Sequence, residues 1–169
     1  MTTIIKNREA VADDFTLVKL AEGDTAETVA LPAGALLVPL AVRQARKTEL
    51  QQRGTPVGVW LDVTEGPEAL ADDLARLPVV AVNFPKFTDG RGYSSARLLR
   101  ERFAYAGEIR AIGDVLHDQL FLMARCGFDA FALKEGKDVA KAANAFDTFR
   151  TPYQAAVDQP QPLFRRRAA

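Results

Sequence analysis

The sequence predicts an α/β fold of about five consecutive βα units around a mainly parallel sheet, with an N-terminal hairpin. Three observations carry this. From residue 34 onward, short apolar runs alternate with stretches of helical period. The apolar runs are nearly continuous, as in strands covered on both faces. Gly54, Gly107 and Gly127 each stand between a helical stretch and the next apolar run, where a left-handed residue can close a helix.

The elements follow in order. "TIIKNREAVADDFTLVKL" in the first 33 residues reads as two strands of a hairpin or an edge addition. "GALLVPL" (34–40) is the first strand of the repeating part, and 41–54 follow with a mostly polar helical pattern. "PVGVWLDV" (56–63) is the second strand. The 66–77 stretch is a helix with Pro67 in its first turn and an apolar stripe of Leu70, Ala71, Leu74 and Leu77. "VVAVNF" (79–84) is the third strand, followed by a helix over 94–107 with Ser94 or Ser95 as N-cap. "EIRAIGD" (108–114) is the fourth strand, and Asp114 is placed to cap a helix over 115–127. "FDAFALK" (128–134) is the fifth, and a last helix over 137–149 is capped by Asp138. Residues 1–157 make a single α/β domain. The tail 158–169 is Pro-rich and basic and is expected to be flexible.

The curvature of the sheet follows from polar residues inside strands. Asn83 and Arg110 fall mid-strand between apolar neighbours. Alternation puts Trp60 with Asp62, Ala81 with Asn83, and Arg110 with Ile112 on shared faces. A doubly wound open sheet would bury those polar groups under helices. A barrel-like sheet turns one face to a lumen that tolerates them. The pattern therefore favours a partial TIM-barrel-like arrangement over a doubly wound open sheet. Five units do not close an eight-unit barrel, so the N-terminal strands or a partner copy in a homo-oligomer must cover the open side.

Composition narrows the function. The 169 residues carry zero formal net charge, which gives no support for a nucleic-acid partner. A single cysteine, Cys126, excludes an internal disulfide, and a single histidine, His117, makes a His-rich zinc site improbable. No apolar run reaches membrane-span length, and residues 1–15 lack a secretory leader pattern. A cytoplasmic protein is expected.

In either arrangement, ligands bind at the C-terminal ends of parallel strands. The longest strand-to-helix loop is "PKFTDGRGYS" (85–94). Gly90 and Gly92 let the backbone approach a ligand closely, and Arg91 between them offers a planar fork to an oxyanion. Tyr93 and Ser94 open the following helix, whose free N–H groups would add to an anion site. Lys86 and Lys134 add charge from this loop and a neighbouring one, and Arg110 is either a lumen residue that meets the ligand or one half of a buried structural ion pair. Asp89 and Asp114 are the candidate acid–base groups, with Asp62 and Glu135 on the same rim. Each has a simpler role. Asp114 would serve as a cap, Asp89 as a turn former, and Arg97, Arg100 and Arg102 with Glu101 as a solvated helix face. His117 would be a hydrogen-bonded structural histidine, and Cys126 a core residue.

The blocks "DGRGYSSARLLRER", "GEIRAIGDVLHDQ" and "RCGFDAF" resemble a bacterial family of unknown function. Its members are encoded beside sulfite reductase and commonly labelled probable oxidoreductases involved in sulfite reduction. The matching positions include Asp89, Gly90, Arg91, Gly92, Tyr93, Ser94, Arg97, Arg100, Arg110, Gly113, Asp114, Asp118, Gln119, Arg125, Cys126, Gly127 and Asp129. The resemblance implies an accessory or oxidoreductase component of assimilatory sulfite reduction, with sulfite reductase as a partner and a small oxyanion at the DGRGYS loop. It leaves the cofactor open and assigns no catalytic role. The chain has neither the cysteines for an iron–sulfur cluster nor a dinucleotide fingerprint. The alternative is a stand-alone enzyme acting on a small anionic metabolite at the strand-end rim. A third reading is a redox protein with a loosely held flavin or nicotinamide.

Overall fold

A computed structural model describes residues 2–167. The strands are β1 (Thr3–Lys6), β2 (Glu9–Ala12), β3 (Phe15–Leu17), β4 (Ala35–Pro39), β5 (Val57–Leu61), β6 (Val79–Phe84), β7 (Glu108–Gly113) and β8 (Ala130–Phe131). The helices are α1 (Leu40–Ala45), α2 (Lys47–Gln52), α3 (Arg91–Glu101), α4 (Leu120–Cys126), α5 (Val139–Ala142) and α6 (Leu163–Arg166). All eight strands form one sheet in the order β2-β1-β8-β7-β6-β5-β4-β3. β3 through β8 pair in parallel, each with its chain neighbour. A doubly wound sheet reverses its order at a switch point; this one never does. It curls into a half-barrel with its helices outside.

The inside of the curl is closed by the N-terminal strands. β1 runs antiparallel to both β2 and β8, so β2 points the same way as the parallel array. Only Asp13 and Asp14 separate β2 from β3, although these strands are the two outermost in the sheet. Three residue steps reach at most about 11 Å. Residues 9–17 therefore act as one bent strand that pairs with β1 in its first half and β4 in its second.

The two faces carry different chemistry. Outward-facing side chains such as Val38, Val59, Val80, Phe84, Ile109 and Phe131 join the helices in one large core. The inward face stacks in layers across the pairings. Leu37, Gly58, Val79 and Glu108 form the bottom layer, Pro39, Trp60, Ala81 and Arg110 the middle, and Asp62, Asn83 and Ile112 the top. A Cβ on Gly58 would lie 2.7 Å from both Leu37 Cδ2 and Val79 O, so the bottom is packed shut. Arg110, nearly fully buried, donates to Glu108 at 2.6 Å and to Asp13 at 2.7 Å, and lies over the Phe15 ring at 5.2 Å. Lys6 completes the group by bridging Glu108 at 2.8 Å.

Several local expectations are corrected. α3 begins at Arg91 with Gly90 at its N-cap, so neither Ser94 nor Ser95 caps it. Asp114 caps no helix, because the chain bends there and runs through an extended Leu116 before a 3-10 turn over His117–Gln119 leads into α4. The 66–77 stretch makes two 3-10 turns, with Pro67 opening the first. The 41–54 stretch splits into α1 and α2. Of the three glycines, only Gly127 is left-handed, at φ +112°. Near Gly107 that role falls to Ala104 at φ +49°. Asp138 does cap α5, accepting from Lys141 N–H. In the tail, Val157 donates to Arg125 O, Asp158 pairs with Arg125, and α6 follows; Ala168 and Ala169 lie outside the described residues.

Candidate functional site

The strand-end rim divides into an outer loop and an inner mouth. The outer part is the DGRG loop. Asp89 accepts from Arg91 Nε at 3.0 Å and Nη2 at 2.6 Å, and also from the Arg91 backbone N–H at 3.1 Å. The arginine fork is thus engaged by the neighbouring carboxylate, and that carboxylate also meets the first N–H of α3. The hydrogen bond from Arg91 holds Asp89 below the usual carboxylate range. The same bond, with the nearby Asp62 charge adding to it, raises Arg91.

The two glycines of the loop differ. A Cβ on Gly90 would meet nothing within 4 Å, whereas one on Gly92 would lie 2.6 Å from Phe84 Cζ. Gly92 is buried so that α3 can sit close on β6. Tyr93 packs edge-on to Phe84 at 5.5 Å, and Ser94 and Lys86 face solvent. Asp114 is bridged by Lys134 at 2.9 Å and accepts from Phe87 N–H at 3.2 Å. The lysine bond leads in holding Asp114 below the usual range. Gln119 ties the loop further, donating to Phe87 O at 2.8 Å.

The inner part is a cavity of about 320 Å³ lined by Leu17, Lys19, Leu20, Pro39, Trp60, Asn83, Ile112 and Gly113. These residues come from the C-terminal ends of β3 through β7 and sit above the packed lumen. Asn83 Nδ2 donates to Asp62 Oδ1 at 3.1 Å, and Asp62 also accepts from Val63 N–H at 2.9 Å. Trp60 Nε1 donates to Val18 O at 2.9 Å, which fixes the indole as a wall. Gly113 is held at φ +95°, and a Cβ there would lie 2.4 Å from Phe84 O and 2.6 Å from Asn83 Oδ1. Glycine at this position is what lets the Asn83 amide stand at the mouth.

The structure therefore separates the sequence-derived candidates. Asp89, Gly90, Arg91, Gly92, Tyr93, Ser94 and Lys86 form the outer loop and the start of α3. Asp114 and Lys134 form a second pair beside it. Arg110 lies lower in the lumen, tied to Asp13 and Glu108. Asp62 stands between loop and mouth. Sequence reasoning missed Leu17, Lys19 and Leu20. The alternation of "LVKL" was their only signal, and nothing local says that this stretch ends at the barrel mouth.

Arg100 departs from the solvated helix face expected of it. Its Nε donates to Gly127 O at 3.0 Å, Nη1 to Tyr105 O at 2.6 Å and Gly107 O at 2.7 Å, and Nη2 to Asp129 at 2.8 Å. Among the described residues, no group of three or more His, Cys, Asp or Glu is placed to hold a metal. No described helix is long and apolar enough to cross a membrane.

A family model described as a bacterial protein of unknown function (DUF934) matches residues 58–164. No curated protein and no solved structure matches the chain. The matched span contains Trp60, Asn83, the DGRG loop, Arg110 and Gly113; it leaves out Leu17, Lys19 and Leu20.

Proposed function

The chain belongs to this bacterial family of unknown function, and from that premise we propose that it binds a small anionic organic molecule at the mouth of its curled sheet. The observation that carries this reading is the 320 Å³ cavity at the C-terminal strand ends, the place where parallel α/β sheets hold ligands. Its chemistry suits a ligand with an apolar body. Trp60, Leu17, Leu20 and Ile112 take that body, Lys19 meets the anionic end, and the Asn83–Asp62 pair hydrogen-bonds a polar substituent. If the ligand is turned over, Asp62 is the group positioned to move a proton. The DGRG loop is then a support, since Asp89 already satisfies Arg91.

Trp60 is the single tryptophan and forms a wall of the cavity, so its fluorescence reports occupancy. Titration with small carboxylates, sulfite and sulfate should give a saturable change for at least one of them. Lys19→Ala should weaken it and Asn83→Leu abolish it. A flat response to the whole panel would sink the reading.

The family resemblance adds a setting, assimilatory sulfite reduction, with sulfite reductase as partner. A deletion strain should then fail on sulfate, grow on sulfide, and be rescued by wild type but not by Asn83→Leu. Normal growth on sulfate would remove that setting and leave the ligand site standing.

A further inference from the structure

At the opposite end of the strands, Arg43 is buried with 4% of its surface exposed. It lies in the last turn of α1, in the seam between the β4–β5 and β5–β6 connections. Among the described residues its one side-chain acceptor is Asp73, at a long 3.3 Å from Nη2. Its Nε is buried and has no hydrogen-bond partner among the described residues. A guanidinium carries five N–H donors, and leaving them unmatched away from water is costly.

The Asp73 carboxylate is shared. Lys47 also bridges Asp73, at 2.9 Å, so one carboxylate serves two cations. Burial alone would push Asp73 up, but the Lys47 hydrogen bond and the charges of Arg43 and Lys47 outweigh it and hold the group low. Asp73 is therefore already the ionised partner of both. Asp72 is exposed and makes no ion pair with Arg43. Arg43 forms part of the wall of a groove of about 650 Å³ that also takes in Gln51, Thr55 and Arg76.

We propose that this groove is an oxyanion site, with Arg43 and Arg76 receiving a phosphate- or sulfate-like group and Gln51 and Thr55 flanking it. The ion supplies the second negative charge that one carboxylate, shared by Arg43 and Lys47, does not. The groove is larger than a bare ion, so the same chemistry fits a free oxyanion or the end of a small ester.

The test follows the Arg43 side-chain Nε–H signal by NMR, assigned by its loss in Arg43→Lys. Inorganic phosphate, inorganic sulfate and glycerol 3-phosphate are titrated at constant ionic strength against chloride. The proposal expects a saturable shift of that signal with at least one oxyanion, weakened at least about tenfold in Arg76→Ala, whose exposed site leaves the fold intact. Tighter binding of glycerol 3-phosphate assigns the site to an ester; equal binding assigns it to the free ion. A signal that moves no more with these oxyanions than with chloride, or moves equally in Arg76→Ala, overturns it. Trp60 fluorescence reads the mouth independently of this signal.

Discussion

Arg110 and Asp13 meet inside the curled sheet at 2.7 Å, although 97 residues separate them in the chain. The pair fastens the bent strand that joins the two outermost strands to the centre of the parallel array. Glu108 holds the other side of the same guanidinium. Removing Arg110 leaves Asp13 and Glu108 facing the lumen, with Lys6 still on Glu108. Arg110→Ala is expected to cost about 3–5 kcal/mol, as for other broken buried pairs. Urea unfolding checks this, and a loss under about 1 kcal/mol would mean the lumen is hydrated.

The DGRG loop gives a contrast between two glycines two residues apart. Gly92→Ala drives a methyl group into Phe84 and is expected to cost about 1–3 kcal/mol. Gly90→Ala meets open space at φ −86° and should leave the melting temperature nearly unchanged. Equal losses in the two variants would contradict close packing of α3 on β6.

Gly113→Ala should be worse tolerated than either. It combines a positive φ with contact against Phe84 O and Asn83 Oδ1. The backbone strain alone is worth about 1–3 kcal/mol. If the variant folds, its mouth should also lose the Trp60 fluorescence response, because Asn83 is displaced. A folded variant with an unchanged response would separate Gly113 from the site.

Acid should loosen the rim through Asp89 and Asp114. Both are held below their ordinary values, Asp89 chiefly by the Arg91 bond and Asp114 chiefly by the Lys134 bond. A lowered folded-state value means the stabilisation is present above the unfolded carboxylate range and fades as pH falls through the folded values. Carboxyl NMR titration should find both groups titrating below an ordinary aspartate near 3.9. In Asp114→Asn, the stability difference from wild type should vanish at the acid end. A difference that grows on acidification would reverse the sign and refute the pairing.

Arg100→Met should be among the most damaging changes on α3. It removes donors from three backbone carbonyls and from Asp129 at once. Hydrogen bonds to charged groups are worth about 1.5–3 kcal/mol each, so a loss above about 3 kcal/mol is expected by denaturant unfolding. Arg97→Met, whose partner is the exposed Glu101, should cost far less.

The contrast between Arg97 and Arg100 shows where sequence reading stops. Both look like members of one charged helix face. What separates them is the position of Tyr105, Gly107 and Gly127 in space, set by how α3 meets the ends of two later segments. The strands were legible because buried parallel strands are continuous apolar runs, and β6 falls at 79–84 as read. Asn83 and Arg110 pointed to the curl, because two polar residues inside such runs need an inner face. The 3-10 turns after β5 were not legible, since an apolar stripe at helical spacing does not distinguish them from an α-helix. Nor was the mouth. Lys19 and Leu20 reach it only because residues 9–17 bend from one side of the sheet to the other.

The pairing of β1 with β8 also sets when the sheet can close. β1 is translated before β2 through β8, yet its neighbours are β2 beside it and β8 at Ala130–Phe131. Ile5 can pair with Ala10 at once, but it meets its second partner only when Phe131 has been translated. The β1–β8 ladder can close only after β4 through β7 have been made, so the longest-range pairing of the sheet is also the last one available to the growing chain.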